Sequence, residues 1–354
     1  MDFCIRFKKI LIFIFNIISV ISLTKRKIHN QFDKFSNCEK LIKFYTQQKY
    51  NSEEYCVTNN QNINSKCNDD NYRNKVIDVC KNELLKWYER RTNSTFDFEN
   101  PKTYNEKIQW MKIYDNTPLK TKLTDKYLVR EWIKEKIGEQ YLVKLLGVWE
   151  SFDDINFDLL PNKFILKANH GCEMNIIVKN KIMLNIPEAR KKFNHWMKQN
   201  YAFFSYEFQY LNIKPKIIAE EYLENENNEL YDYKVFCFNG KVNSIGFFSN
   251  RVNHETKLAF YDLNWNKLNY TFYNIDEKVV PKPKNLKLLI DLSEKLSQGF
   301  SHVRVDFYIL NDESIKFGEM TFSTHSGTAK WSPPEQNKIF GDMIQLYEKS
   351  PFPL

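Results

Sequence analysis

The chain has 354 residues, 42% of them hydrophobic and 16% aromatic, with a formal charge of +8. That length allows two or three packed subdomains with a sizeable core, and the composition fits a globular protein. The charge suits a partner carrying phosphates or carboxylates. With no nucleic-acid motif and no basic run interleaved with stacking aromatics, nucleic acid is not expected as a partner.

Arg6, Lys8 and Lys9 precede an apolar run over residues 10–23, and Lys25-Arg26-Lys27 follows it. Fourteen residues are short for a membrane span and suit a signal-peptide core. Residues 1–24 are therefore expected to engage a membrane, as a cleaved signal or a single anchor, and to send the chain to the secretory route. Without that role the chain would be cytoplasmic. Seven cysteines are present. Cys38, Cys56, Cys67 and Cys80 lie in an Asn-rich, Lys-rich stretch, residues 25–75 and just beyond, that reads as an irregular linker. In an oxidising lumen these four allow two disulfides in any of three pairings, and elsewhere they are free thiols. Asn93-Ser94-Thr95 and Asn269-Tyr270-Thr271 fit the N-glycosylation pattern.

A helical part is expected over 76–140. Periodicity begins near Val76 and runs through Leu84, Leu85, Trp87 and Tyr88. A second helix follows Pro101, with Thr103 as N-cap, Glu106 closing a capping box, and Ile108, Met111 and Ile113 as its apolar stripe. A third runs from Pro118 to about Ile137 and stops at Gly138. Strands and helices then mix over 141–349. Strands are read at 141–149, 163–168, 175–178 and 216–223, with a basic-faced helix at 187–200. Asn239-Gly240 joins 232–239 to 241–249 as a hairpin. Helices are read at 285–299 and 335–349. No clean βαβ repeat emerges, so the fold class is α+β.

The densest chemistry lies near the end. Residues 302–308 and 315–322 alternate apolar and polar side chains about an Asn311-Asp312-Glu313 turn, so they read as a hairpin. Arg304 and Asp306 then share a face with Glu319 and Thr321. Carboxylates on such an apolar strand need a partner, either a cation or a salt bridge such as Arg304–Glu319. Upstream, Lys167 ends a strand before Asn169-His170-Gly171-Cys172-Glu173-Met174-Asn175. Glu220-Glu221-Tyr222-Leu223 ends another, and Lys234 begins the next.

That order resembles the ATP-grasp superfamily, and within it the TupA-like family of polysaccharide biosynthesis. The resemblance covers roughly residues 100–343. It includes Asn100-Pro101-Lys102-Thr103-Tyr104-Asn105-Glu106-Lys107, Asp125-Lys126-Tyr127, Asn169-His170-Gly171, Asp232-Tyr233-Lys234-Val235-Phe236 and Val303-Arg304-Val305-Asp306. It implies two α+β lobes clasping ATP, with Mg²⁺ on its phosphates, and a ligase that activates a carboxylate or glycan-linked acceptor as an acyl phosphate. It implies that Lys126 and Lys167, with His170 and Gly171 of the loop, approach the phosphates, and that Glu220, Glu221, Tyr222 and Leu223 form the adenine hinge. Lys234 and Arg304 neutralise phosphate, and Asp306, Glu319 and Thr321 hold the metal. Glu173 and Met174 stand where the family pattern has glycines, and the stretch after Glu319 also departs. A nucleotide binder without turnover, or a sugar-modifying kinase or transferase, are the alternatives left open.

Overall fold

A computed structural model of the chain describes residues 38–43, 70–224, 230–249, 257–275 and 280–349. The expected targeting segment at 1–24 lies outside these residues, as do Cys56 and Cys67. Among the described residues no helix is long and apolar enough to cross a membrane. The chain divides into two compact units, 1–83 and 84–353. The boundary falls inside the first long helix, α1 (Asp70–Thr92), which starts earlier than its apolar periodicity suggests. In the first unit, Cys38 and Cys80 form a disulfide. Of the three pairings that the four cysteines allow, the two with Cys38–Cys56 or Cys38–Cys67 are thereby excluded.

In the second unit, α2 (Tyr104–Tyr114) carries the full capping box. Thr103 accepts from the Glu106 amide, and the Glu106 carboxylate accepts from the Thr103 amide. The expected stripe of Ile108, Met111 and Ile113 is buried, but so are Gln109 and Lys112. A helix buried all round must satisfy its polar side chains internally, which these two do at the candidate site. The expected third helix is two helices, α3 (Pro118–Thr124) and α4 (Val129–Lys136). The break is chemical: the Asp125 carboxylate accepts from the Tyr127 and Leu128 amides at 2.8 and 3.2 Å. A side chain that caps the next turn competes with helix continuation.

Two sheets follow, antiparallel except for one short parallel pair in the second. The first has the order β1-β4-β2-β3, from β1 (Leu145–Trp149), β2 (Phe164–Ala168), β3 (Asn175–Val178) and β4 (Ile217–Glu221). Its buried face packs on α5 (Ile186–Trp196) through Phe164, Leu166, Ala189 and Phe193. Arg190, Lys191 and Lys192 lie on the solvated side of α5, two of them paired with Asp153 and Glu188.

The second sheet runs β11-β10-β5-β6-β7-β8. Its strands are β5 (Tyr231–Phe238), β6 (Lys241–Ser249), β7 (Lys257–Tyr261), β8 (Lys267–Leu268), β10 (His302–Ile309) and β11 (Ile315–Thr321), with β9 (Asn274–Ile275) beside β7. The β5–β6 turn has φ 50° at Asn239 and 77° at Gly240, the paired left-handed values that select Asn-Gly. Helix α6 (Leu286–Ser297) buries Leu286, Leu289, Leu292 and Leu296 against this sheet. A last helix, α7 (Glu335–Met343), ends six residues before its expected stop because Ile344 is extended.

Tyr104 of α2, Phe238, Trp331 and Phe340 pack around His302 and one another, with ring centroids 4.7–6.4 Å apart. His302 lies wholly inside, its Nδ1 at 2.8 Å from the Cys237 carbonyl and its Nε2 at 2.8 Å from the Tyr104 hydroxyl. A carbonyl only accepts, so Nδ1 carries the proton and Nε2 accepts from Tyr104. Burial pushes the imidazolium down to about 3. The unfolded ring ionises at its ordinary value, so as pH falls from about 6.5 toward 3 the unfolded chain binds the extra proton and stability is lost. The His302 ring is therefore expected to stay neutral at pH 5, with one protonated and one bare nitrogen by ¹⁵N NMR. A cationic ring at that pH would contradict this packing.

Candidate active site

Three neighbouring strands bring one row of charges together. In the β5–β10 register Asp306 faces Lys234, and in the β10–β11 register it faces Glu319, with Arg304 opposite Thr321. Lys234 Nζ lies 2.6 Å from Asp306 and 2.7 Å from Asp232. The Arg304 guanidinium grips both oxygens of Asp306 at 2.7 Å and reaches Glu319 at 3.2 Å and Thr321 Oγ1 at 3.0 Å. Asp232, Lys234, Arg304 and Asp306 are all buried. Burial works against the Arg304 charge, but Asp306 overrides it and holds the guanidinium above its ordinary range. Glu319 differs, since 37% of its side chain is open. Burial opposes its ionisation, yet Lys126, Arg304 and Lys234 outweigh that and bring it down to about 2.

The link between α3 and α4 and the first sheet supply further cations. Because the chain breaks at Asp125, Lys126 leaves the helix and its amide reaches the Asn169 carbonyl at 3.2 Å. Its Nζ donates to the Gly171 carbonyl at 2.8 Å, and it is the cation acting most strongly on Glu319. Lys167 lies on β2 with its Nζ 2.5 Å from Glu220, and Arg130 grips the other Glu220 oxygen at 3.0 Å. The Glu221 amide donates to the Lys144 carbonyl at 3.0 Å. Of the expected hinge amides, that one is already taken, and Tyr222 and Leu223 follow it half-exposed. The His170 ring is buried, with Nε2 donating to the Trp196 carbonyl at 3.1 Å, so it braces the loop from behind.

Against this geometry the sequence can be compared with known families. The TupA-like ATPgrasp profile matches residues 106–345. The chain belongs to the TupA-like ATP-grasp family. No curated protein matches it. Among solved structures it is similar to an L-amino acid ligase from Bacillus licheniformis, at 12% identity and a TM-score of 0.40, covering 70% of this chain and 55% of that one. It is also similar to a D-alanine–D-alanine ligase from Bacillus anthracis solved with ATP, at 14% identity and a TM-score of 0.34, covering 56% and 55%. A third is the D-alanyl-alanine synthetase A from Vibrio cholerae, at 10% and 0.37, covering 68% and 63%. The chain thus spans little more than half to two-thirds of those chains.

In this ATP-grasp protein the residue 169–175 loop is rebuilt. Met174 turns inward and is buried with Phe164, Leu166 and Phe193. Gly171 makes room for it: a Cβ there would sit 2.6 Å from the Met174 sulfur. Glu173 stays exposed with φ 59°, a left-handed value that glycine adopts without strain. After Glu319 the chain takes three successive left-handed residues, His325, Ser326 and Gly327, at φ 50°, 52° and 64°. Gln109 Nε2 donates to the Ser326 and Gly327 carbonyls at 3.0 and 2.8 Å, and Lys112 Nζ to the Ser326 carbonyl at 2.9 Å. Burial brings the Lys112 ammonium down to about 7 even with Glu207 nearby. Glu207 itself is buried and accepts from Ser205 and Ser326 hydroxyls at 2.6 and 2.8 Å.

Sequence reasoning missed Arg130, Gln109, Lys112 and Glu207. Lys112 and Gln109 carried a signal, as polar residues within the otherwise apolar run from Ile108 to Tyr114. Glu207 sits in an irregular segment with no periodic pattern to mark it.

The two altered loop positions are expected to respond in opposite ways. Glu173→Gly relieves a left-handed side chain and should stabilise by about 1 kcal/mol. Met174→Gly empties a core site and should cost roughly 2–5 kcal/mol. Denaturant unfolding of both variants checks the pair, and a neutral Met174→Gly would show that Met174 is not packed as described.

Proposed function

We propose that this chain is an ATP- and Mg²⁺-dependent ligase that activates a carboxylate as an acyl phosphate, on a glycan or glycan-linked acceptor. The observation that carries this is the buried row of Lys234, Arg304 and Asp306 that ends at the half-open Glu319, which Lys126 also helps to hold ionised. Lysines, an arginine and carboxylates facing one another suit phosphoryl transfer, which needs positioning and charge neutralisation rather than a covalent nucleophile.

The donor set matches a divalent cation in part. Glu319 and Thr321 fit directly, since Glu319 is ionised and partly open. Asp306 fits after an exchange, because Arg304 and Lys234 occupy both of its oxygens. Nucleotide phosphates would give those two cations new partners and leave Asp306 and Glu319 to the metal. Bound Mg²⁺ would supply charge neutralisation on the phosphates. Lys126 from the α3–α4 link and Lys167 from the first sheet would lie on the phosphates, Lys167 after releasing Glu220, which keeps Arg130. Tyr222 and Leu223 would flank the adenine. In the transfer, an acceptor carboxylate oxygen bonds to the γ-phosphorus as the bond to ADP breaks. An amine or hydroxyl of a second substrate then displaces phosphate.

The setting proposed is the secretory route or a membrane surface. The Cys38–Cys80 disulfide supports it, because such bonds persist in oxidising compartments. The basic-flanked apolar run at 10–23 supports it as well. Nucleotide binding without turnover is the second reading, favoured by the carboxylate of Glu173 in the loop beside Lys126.

Glu319→Gln should abolish MgATP turnover while the fold is kept, by ADP release and circular dichroism. Asp306→Asn should also abolish it but cost roughly 3–5 kcal/mol of stability, since it strips Arg304 and Lys234 of a buried counter-ion. Undiminished turnover in Glu319→Gln would sink the metal assignment. Lys167→Ala should weaken ATP at least tenfold more than adenosine in calorimetry, and equal losses would make Lys167 structural. MgATP bound by the wild type with no ADP released on any carboxylate acceptor would favour the second reading.

A further inference from the structure

We infer that Asn93 is an N-glycosylation site and that the other matching triplet, Asn269-Tyr270-Thr271, is left unmodified. Both triplets satisfy the pattern, so the sequence does not choose between them. The folded surroundings do.

Asn93 ends α1. Its amide donates to the Glu89 carbonyl at 2.8 Å and its φ is 55°, a left-handed helix stop for which asparagine is well suited. Past it the chain leaves the helix, and Asn93, Ser94 and Thr95 are all exposed. Among the described residues no hydrogen bond holds the Asn93 carboxamide or the Thr95 hydroxyl. The middle residue, Ser94, is not proline. A glycan on Asn93 would stand in water, and the hydroxyl two residues on is free to be recognised.

Asn269 is exposed, but the rest of its triplet is part of the fold. Tyr270 packs on Phe260 and Phe340 at 4.7 and 5.4 Å between ring centroids. Thr271 is buried, and its hydroxyl donates to the Tyr273 carbonyl and accepts from the Tyr273 amide at 3.0 and 3.1 Å. Its backbone pairs in both directions with Ser332 at 2.8 and 2.7 Å. Asn269 is one of the residues around a cavity of about 260 Å³ at the edge of the second sheet, with Leu258, Lys267, Leu268 and Ile275. A bulky sugar there would meet an apolar wall, and its recognition hydroxyl is already spent.

The donor is a polyprenyl-diphosphate-linked oligosaccharide. The anomeric carbon forms a bond to Asn93 Nδ2 as its bond to the diphosphate oxygen breaks. The amide loses one proton and the polyprenyl diphosphate leaves. The inference rests on entry of the chain into the secretory lumen, as proposed above, and not on its ligase activity.

The full chain would be synthesised in a eukaryotic cell that performs this modification, and the purified protein treated with peptide-N-glycosidase. The expected result is a loss of mass on gels and an aspartate at position 93 by peptide mass spectrometry. Asn93→Gln and Thr95→Ala should each abolish the shift, Thr95→Ser should retain it, and Asn269→Gln should leave it unchanged. An unglycosylated chain whose Cys38–Cys80 disulfide has formed would overturn the site while leaving the lumenal setting intact. With neither glycan nor disulfide, the setting and the site both fail. Aspartate at 269 would overturn the selectivity.

Discussion

Everything at the site depends on the mutual neutralisation of buried charges across β5, β10 and β11. Asp232, Lys234, Arg304 and Asp306 are each buried within a sheet otherwise built from Val, Phe and Ile. Removing any one from water alone costs several kcal/mol, and attraction at close range offsets that only when every oxygen and N–H finds a partner. The two-forked grip of Arg304 on Asp306 and the double contact of Lys234 with Asp232 and Asp306 supply most of those partners. They also fix the side chains in place, because a rotamer change in one leaves another unpaired. Glu319 alone at the end of the row keeps an open side.

The same economy of polar groups explains how the irregular segments are held. Residues 205–209 and 323–327 have no ladder of their own. Lys112 from α2 donates to the carbonyls of both Ser205 and Ser326, while Glu207 takes hydroxyls from both stretches. Three consecutive left-handed residues are costly, roughly 1–3 kcal/mol for each one that is not glycine. They persist here because Gln109 and Lys112 satisfy their carbonyls from a rigid helix. Strain and buried polar groups thus converge beside the open carboxylate.

What was legible follows from how local each signal is. The capping box at Thr103, the Asn239-Gly240 hairpin and the β10–β11 pair were legible because each depends on residues close in sequence. The Arg304–Glu319 contact read as an alternative to metal binding is present, though Asp306 takes most of the guanidinium. The break at Asp125 was missed because a helical pattern runs through it, and only the folded geometry shows its carboxylate capping the next turn. The strand at 257–261 gave too short a signal. Met174 stands where the family pattern places glycine, and no neighbouring residue in the sequence shows which way its side chain turns. Its inward turn depends on space above Gly171 and on Phe164 and Phe193, which no local pattern encodes.

The balance of charge ties these features to the proposed chemistry. Asp232, Asp306 and Glu319 against Lys234 and Arg304 leave one net negative charge, and Lys126 cancels it. A neutral set gives no strong preference to an anion or a cation arriving alone. A phosphate chain alone would compete with Asp306 and Glu319 for Arg304 and Lys234, and would leave those carboxylates unpaired. A divalent cation alone would do the converse. Arriving together, each restores what the other removes, so the closed charge network favours the metal–nucleotide pair over either part.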